Sequence, residues 1–195
     1  MGKIYYLMGK SSSGKDTIYK YLIEDEELKI KRIVGYTTRP IREGEEEGVE
    51  YHFVDETRML ELEAEGKVIE RRNYNTVYGV WSYFTADDKQ INLNKADYLL
   101  IGTLEAYAHI RDYYGEEKVV PLYIEVDDGI RLMRALNREM QQTNPKYSEM
   151  CRRYLADQED FSEERLAEAG IKKRYINDDI KECLNEIKEK IKSED

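Results

Sequence analysis

Gly9-Lys10-Ser11-Ser12-Ser13-Gly14-Lys15-Asp16-Thr17 sets two glycines five positions apart, with three serines between them and a lysine directly after the second. Glycine lets a backbone turn until successive N–H groups aim at one point, and a helix that starts there adds the positive end of its dipole. Lys15 brings a mobile point charge to the same place. Residues of these types at this spacing hold the phosphates of a nucleotide such as ATP, the arrangement called a P-loop. Every residue from Gly9 to Thr17 is therefore a candidate phosphate contact. The residue after the lysine is usually Ser or Thr, whose hydroxyl binds magnesium. Here it is Asp16. A carboxylate can hold Mg2+ directly or through its water, and Thr17 offers a hydroxyl one position later, so both are candidate metal ligands.

Two further sets of cations are spaced for chemistry. Arg39 and Arg42 stand three positions apart on a polar stretch, Thr37 to Gly48, that holds Gly44 and Gly48 and reads as a loop. Guanidinium forks match phosphate geometry. Beside Glu43, Glu45, Glu46 and Glu47, the same arginines suit surface ion pairs equally well. Arg134 and Arg138 lie one helical turn apart and share a face. A polar stretch follows them, Met140 to Tyr147, and then a helix with Arg152 and Arg153.

The elements that must position these groups follow from apolar spacing. Ile4 to Met8 reads as a buried strand ending at Gly9, as a phosphate loop requires. Ile18, Leu22 and Ile23 mark a helix that runs on to Leu28. Ile30 to Tyr36 is β-rich and Tyr51 to Val54 a short strand. Asp55 is placed to cap a helix over Glu56 to Glu65, closed by Gly66. Val68 to Tyr74 and Thr76 to Phe84 read as paired strands around Asn75. Further on come a buried strand, Ala96 to Gly102, and a helix, Leu104 to Tyr114. The strand Lys118 to Val126 carries Pro121, which hints at an edge or bulge. Ile130 to Met140 predicts a helix, Ser148 to Ala169 one long charged helix, Arg174 to Ile176 a strand and Asp178 to Lys192 a last helix. Strands alternating with helices predict an α/β fold with a parallel sheet flanked by helices. Residues 37–94 break that rhythm and read as an insert, which leaves 1–36 and 95–195 as the core.

Composition narrows the function classes. A chain of 195 residues suffices for one compact α/β domain with small inserts. A net charge of −10 argues against a protein that coats nucleic acid, whose backbone needs clustered Lys and Arg. Nucleotide binding needs only a local basic site. Cys151 and Cys183 are far apart with no CxxC, which predicts two reduced thiols. No run approaches the ~18 apolar residues of a membrane span, and no signal peptide is apparent. A cytoplasmic protein without a membrane partner is expected.

The loop at Gly9–Thr17 is followed by Thr37-Thr38-Arg39-Pro40-Ile41-Arg42-Glu43-Gly44-Glu45 and by Gly48-Val49-Glu50-Tyr51-His52-Phe53-Val54. The Glu70 strand and Tyr78-Gly79 come next. In order and spacing these resemble the guanylate kinases over nearly the whole chain. The resemblance implies a P-loop NTPase fold with an inserted mixed-sheet GMP-binding subdomain at 37–94 and a small lid at about 138–150. It implies ATP and GMP as small-molecule substrates, Mg2+ as cofactor, and a monomer or homodimer. On matching positions, Arg39, Arg42, Tyr51 and Tyr78 would hold the GMP phosphate and Glu70 would read the base. Guanine offers N1–H and an exocyclic NH2 as adjacent donors for a carboxylate, whereas adenine offers an acceptor at N1. Arg134, Arg138 and Arg153 match arginines that a lid brings to ATP, and Lys15, Arg138 and Arg153 would be catalytic. Asn177 matches a segment on the adenine side.

The sequence also departs from that family. Gly35 stands where a serine is expected, and Val80 where Ser or Thr follows Tyr-Gly; both changes remove hydroxyl donors near guanine. Ile101, Gly102 and Thr103 replace an acidic region, with Glu105 just beyond. These changes keep open another nucleotide or a phosphorylated sugar as acceptor. A non-catalytic guanylate-kinase-like binding module is the remaining alternative, although such modules usually lose the loop lysine and lid arginines retained here.

Overall fold

The computed structural model describes residues 1–42, 44–76 and 79–194. β1 (Ile4–Met8) is buried at all five positions, as a strand covered on both faces must be. α1 (Lys15–Glu24) turns Ile18 and Leu22 inward. β2 (Lys31–Arg32) joins the sheet of β1, while β3 (Tyr36–Thr37) starts a second sheet. That sheet is completed by β4 (His52–Phe53), β5 (Val68–Thr76) and β6 (Gly79–Ala86), with α2 (Glu56–Ala64) between β4 and β5 in the chain. The chain then returns through β7 (Tyr98–Gly102), α3 (Leu104–Tyr114), β8 (Val119–Glu125) and α4 (Asp128–Met140). α5 (Tyr147–Asp160), α6 (Glu163–Glu168), β9 (Arg174–Ile176) and α7 (Ile180–Glu194) complete it.

The core sheet runs β2-β7-β1-β8-β9 with every pairing parallel. Successive residues of β1 point to opposite faces. Ile4, Tyr6 and Met8 pack with Tyr107, Ile110 and Phe161, while Tyr5 and Leu7 pack with Ile18, Leu22 and Ile187. Each such burial stabilises by about 1.5–3 kcal/mol relative to exposure, so the strand dictates where Gly9 and the loop after it sit. The second sheet runs β4-β3-β6-β5; β3 and β4 are parallel and the other pairs antiparallel. Phe84 and Ala86 bind Met59 and Leu62 of α2 on its back. The opposite face carries Glu70, Arg72, Tyr83 and Thr85, because Glu70 pairs with Thr85 and Arg72 with Tyr83.

Several expectations need correction. The first helix stops at Glu24 rather than Leu28, because the Asp25 side chain takes the Glu27 N–H at 2.9 Å and Leu28 closes a turn onto the Asp25 carbonyl. The long charged helix is two helices. Phe161 dips into the core, 6% exposed and stacked on Tyr123, and Ser162 caps the next helix by accepting from the Arg165 N–H. Pro121 lies neither on an edge strand nor at a bulge. It sits in interior β8 opposite Tyr6, ahead of Tyr123 where β9 begins to pair, so no ladder demands the missing N–H on that side. The hairpin continues past Asn75, which pairs with Val80.

The two thiols differ in environment. Cys151 is exposed, whereas Cys183 is buried on α7, and burial pushes its thiol up to about 11. Brief alkylation at neutral pH is expected to label Cys151 alone, with Cys183 reacting only after denaturation. Peptide mass spectrometry showing equal native labelling would contradict this placement.

Candidate active site

The loop after β1 has the backbone that anion binding needs. Ser12 and Gly14 take φ of 65° and 87°. A Cβ at Gly14 would also lie 2.4 Å from Asn177 Nδ2, so both conformation and space demand glycine there. No side chain caps α1, whose first-turn N–H groups have no partner within the helix. The buried hydroxyls of Ser12 and Ser13 have no hydrogen-bond partner either. A buried unsatisfied polar group costs about 1–3 kcal/mol, and one anion at this point would satisfy several at once. Lys15 joins them with its side chain 19% exposed and its Nζ 3.6 Å from the Asp16 carboxylate. Asp16 is 84% exposed, and Thr17 is exposed on the same first turn.

A polar scaffold holds this loop from behind. Asn177 Nδ2 donates to the Ser13 carbonyl at 2.7 Å, its own N–H to the Glu125 carbonyl at 2.8 Å, and Arg134 Nη2 donates to the Asn177 carbonyl at 3.2 Å. Lys10 Nζ is held by Gln158 at 2.7 Å and Asp128 at 3.4 Å. Lys10 and Asn177 thus spend their side chains on protein partners, and Arg134 is directed to the residue after β9. Sequence reasoning missed Arg131, the most buried arginine of this region at 1% exposed. It donates to Asp128 at 3.0 Å, to Asp157 at 3.0 Å and to the Ser11 carbonyl at 3.2 Å, over the face of Tyr154. Asp157 accepts the Ser11 N–H at 2.8 Å, so both sides of Ser11 are clamped. Burial pushes the Asp128 carboxyl up, but bonds from Gln158 and Arg131 outweigh it and leave it below its ordinary value. α4 starts at Asp128, two residues before the Ile130 expected, which makes Asp128 and Arg131 a helical i,i+3 pair; the partner 26 residues away was not legible in the sequence.

A cavity of about 390 Å³ opens beside the loop, lined by Lys10, Ser13, Glu125, Asp128, Ile176 and Asp178. It lies at the carboxyl ends of β8 and β9, where open parallel sheets bind ligands. A smaller recess, about 20 Å³, brings Arg138 and Arg153 beside Ser11 and Ser12. Arg153 is 61% exposed and pairs with Glu149 at 3.3 Å. Exposed pairs contribute roughly 0–1 kcal/mol, so Arg153 can leave Glu149 at small cost.

The second sheet's open face holds the other candidates. Arg39 is 3% exposed, forks onto Glu45 at 2.8 and 2.9 Å, donates Nε to Tyr83 Oη at 3.1 Å, and lies over Tyr51 and Phe53. It forms a buried ion pair with Glu45 rather than a surface one. The Glu45 bond raises the Arg39 pKa, and the same bond lowers that of Glu45. Arg42 is exposed on the loop, its N–H held by Glu45 at 2.8 Å. Tyr51 meets Tyr83 edge-on, and burial raises its phenol pKa. Tyr78 lies outside the described residues.

Glu70 is 4% exposed. It accepts Thr85 Oγ1 at 2.8 Å, Arg72 Nε at 3.0 Å and Arg72 Nη2 at 3.3 Å. Arg72 was also missed, although two positions along a strand return a side chain to the same face. Burial works against its charge, and the Glu70 carboxylate more than offsets this, so its pKa is raised. Tyr6 of β1 lies close enough to feel both Glu70 and Arg72, and its hydroxyl donates to the Thr103 carbonyl at 3.2 Å. A Cβ at Gly102 would stand 2.1 Å from that hydroxyl, so no acidic side chain fits there.

A family model described as guanylate kinase matches residues 1–194. A guanylate kinase of Methylobacillus flagellatus is 30% identical over 197 aligned residues, covering 99% of this chain and 90% of the relative. One from Vibrio cholerae is 27% identical, covering 99% and 88%. Among solved structures, the guanylate kinase of Anaplasma phagocytophilum superposes with a TM-score of 0.63 at 25% identity, covering 99% of this chain and 86% of that one.

Proposed function

The chain belongs to the guanylate kinase family, and on that premise we infer that it transfers the γ-phosphoryl group of ATP to GMP, yielding ADP and GDP. The observation that carries the acceptor is Glu70. It is a buried carboxylate on a sheet face shared with Arg39, Tyr51 and Tyr83, adjoining the strand that launches the phosphate loop. Guanine's N1–H and NH2 are donors to it, and adenine's N1 is repelled.

In this reading the Gly9–Thr17 segment is a P-loop. Its amides, the Ser12 and Ser13 hydroxyls and Lys15 hold the ATP phosphates, and the cavity at Ile176 and Asp178 takes the adenosine end. Residues 37–94 form the acceptor subdomain, where Arg39, Arg42, Tyr51 and Tyr78 fix the GMP phosphate. Arg39 reaches it with the one Nη2 hydrogen that Glu45 leaves free. Residues of about 138–150 act as a lid that carries Arg138 towards the transferred group and excludes water, which would otherwise hydrolyse ATP. Transfer is in line, without a covalent intermediate, so positioning and charge stabilisation supply the rate.

Mg2+ would be held by Asp16 or Thr17 together with the nucleotide, and would neutralise phosphate charge. The donor set fits: one exposed carboxylate and one hydroxyl at the loop, with no cluster of three or more His, Cys, Asp or Glu among the described residues. Such a set suits a cation that keeps waters and phosphate ligands. No helix among the described residues is long and apolar enough to cross a membrane. The reading places the enzyme in the cytoplasm as a monomer or homodimer acting on small molecules.

A coupled ADP-release assay across nucleoside monophosphates tests this, with GMP expected to give the highest kcat/KM. Glu70→Gln should lower kcat/KM for GMP by about 10- to 100-fold more than for a poor acceptor, the worth of a hydrogen bond to a charged group. Equal losses on both acceptors would reject base reading by Glu70.

A further inference from the structure

We propose that Arg72 is a specificity-determining residue, donating to guanine O6 while the remaining acceptor site of Glu70 takes N1–H. The inference rests on the GMP reading above and deepens it. Two hydroxyls expected near the base are missing, since Gly35 has no side chain and Val80 is a valine, 57% exposed. Left there, guanine's O6 would lose its hydrogen bonds, and a carboxylate alone would lie beside a carbonyl oxygen of like polarity. Arg72 supplies what is absent. It shares a sheet face with Glu70, at 3.0 Å, and its side chain is 21% exposed, so it lies at the open face rather than inside the sheet.

The donor count supports the assignment. A guanidinium has N–H donors on all three nitrogens. Arg72 spends Nε and one Nη2 hydrogen on Glu70, and its Nη1 has no partner among the described residues. Glu70 Oε1 accepts from Thr85 and from Arg72 Nη2, and Oε2 accepts from Arg72 Nε, which leaves one lone pair on Oε2 for a ligand donor. A donor and an acceptor therefore lie side by side on one rigid strand, as O6 and N1–H lie side by side on one edge of guanine. The amine of adenine at position 6 would meet the guanidinium donor to donor. The Glu70 side chain is 1% exposed, so its pair with Arg72 is largely removed from bulk water, where such bonds discriminate least.

The test exchanges one acceptor atom. In 6-thio-GMP sulfur replaces O6, and sulfur is a weak acceptor. Wild type should prefer GMP over 6-thio-GMP in kcat/KM by about 10-fold or more, the scale of a charged hydrogen bond. Arg72→Met should bring that ratio near unity, Arg72→Lys should restore part of it, and Glu70→Gln should lower both substrates and leave the ratio intact. If Arg72 only steadies Glu70, Arg72→Met lowers both substrates alike and the proposal fails. It fails too if Arg72→Met raises kcat/KM for GMP, which would make the arginine a competitor for Glu70. A wild type that shows no preference for oxygen over sulfur overturns it without any variant. A wild type that does not phosphorylate GMP at all defeats the GMP reading itself, which separates the two failures.

Discussion

Lys15→Ala is expected to lower phosphoryl transfer by about 10²–10³-fold or more, while the melting temperature stays close to that of wild type. The reason is a difference between two roles of the same amine. In the folded protein it makes one loose pair, 3.6 Å from a carboxylate that is itself 84% exposed, and such a pair contributes little. In the transition state it faces the phosphates from a site lined by the α1 amides and the Ser12 and Ser13 hydroxyls, where water cannot screen it. Removing one preorganised donor to developing charge costs that much in well-studied sites. Initial rates of ADP release and a thermal melt check both halves. A variant turning over at near-wild-type rate would remove the loop from the chemistry.

Replacing Arg153 or Arg138 with methionine should cost about 10³-fold in kcat, the lower end for an arginine that meets a transferred phosphoryl group. KM for GMP should change little, because neither arginine lies on the sheet face that holds Glu70. Lysine should rescue poorly, since a point charge cannot reproduce a planar fork. Both side chains border the recess at Ser11 and Ser12, and Arg153 is held only by an exposed pair with Glu149. The double variant should lose less than the product of the single losses, because the two act on the same charge. Saturating kinetics with both substrates decide the matter; losses under about tenfold would place both residues outside the transition state.

Both effects depend on a scaffold whose cost is visible elsewhere in the fold. Ser11 is gripped by Asp157 at its N–H and by Arg131 at its carbonyl, and Ser13 is held by Asn177. The loop is thus bonded on one side to α4, α5 and the residue after β9. Arg131 is buried with two carboxylates, so its value is geometric rather than a large net gain in stability.

Features with a short-range cause could be read from the amino-acid order. Glycines five apart followed by lysine declare the tight turn between β1 and α1, the Asp55 cap on the Arg58 N–H declares the start of α2, and the apolar run Ile4–Met8 declares a strand buried on both faces. Each depends on residues within a few positions, where spacing is geometry. Tertiary structure alone decided the rest. That the Arg39–Glu45 pair is buried rather than on the surface turned on Tyr83, 44 residues away, and on how deeply the second sheet covers it. The break at Phe161 turned on Tyr123, a ring on another strand. Arg131 and Asp157 meet only because α4 and α5 fold back on each other. Glu70 was legible as a carboxylate on a strand; that an arginine two positions on shares its oxygens, beside a tyrosine of the core sheet, required the fold. Charge and hydrogen bonding act over a few ångströms of space, and the order of residues fixes that distance only for near neighbours.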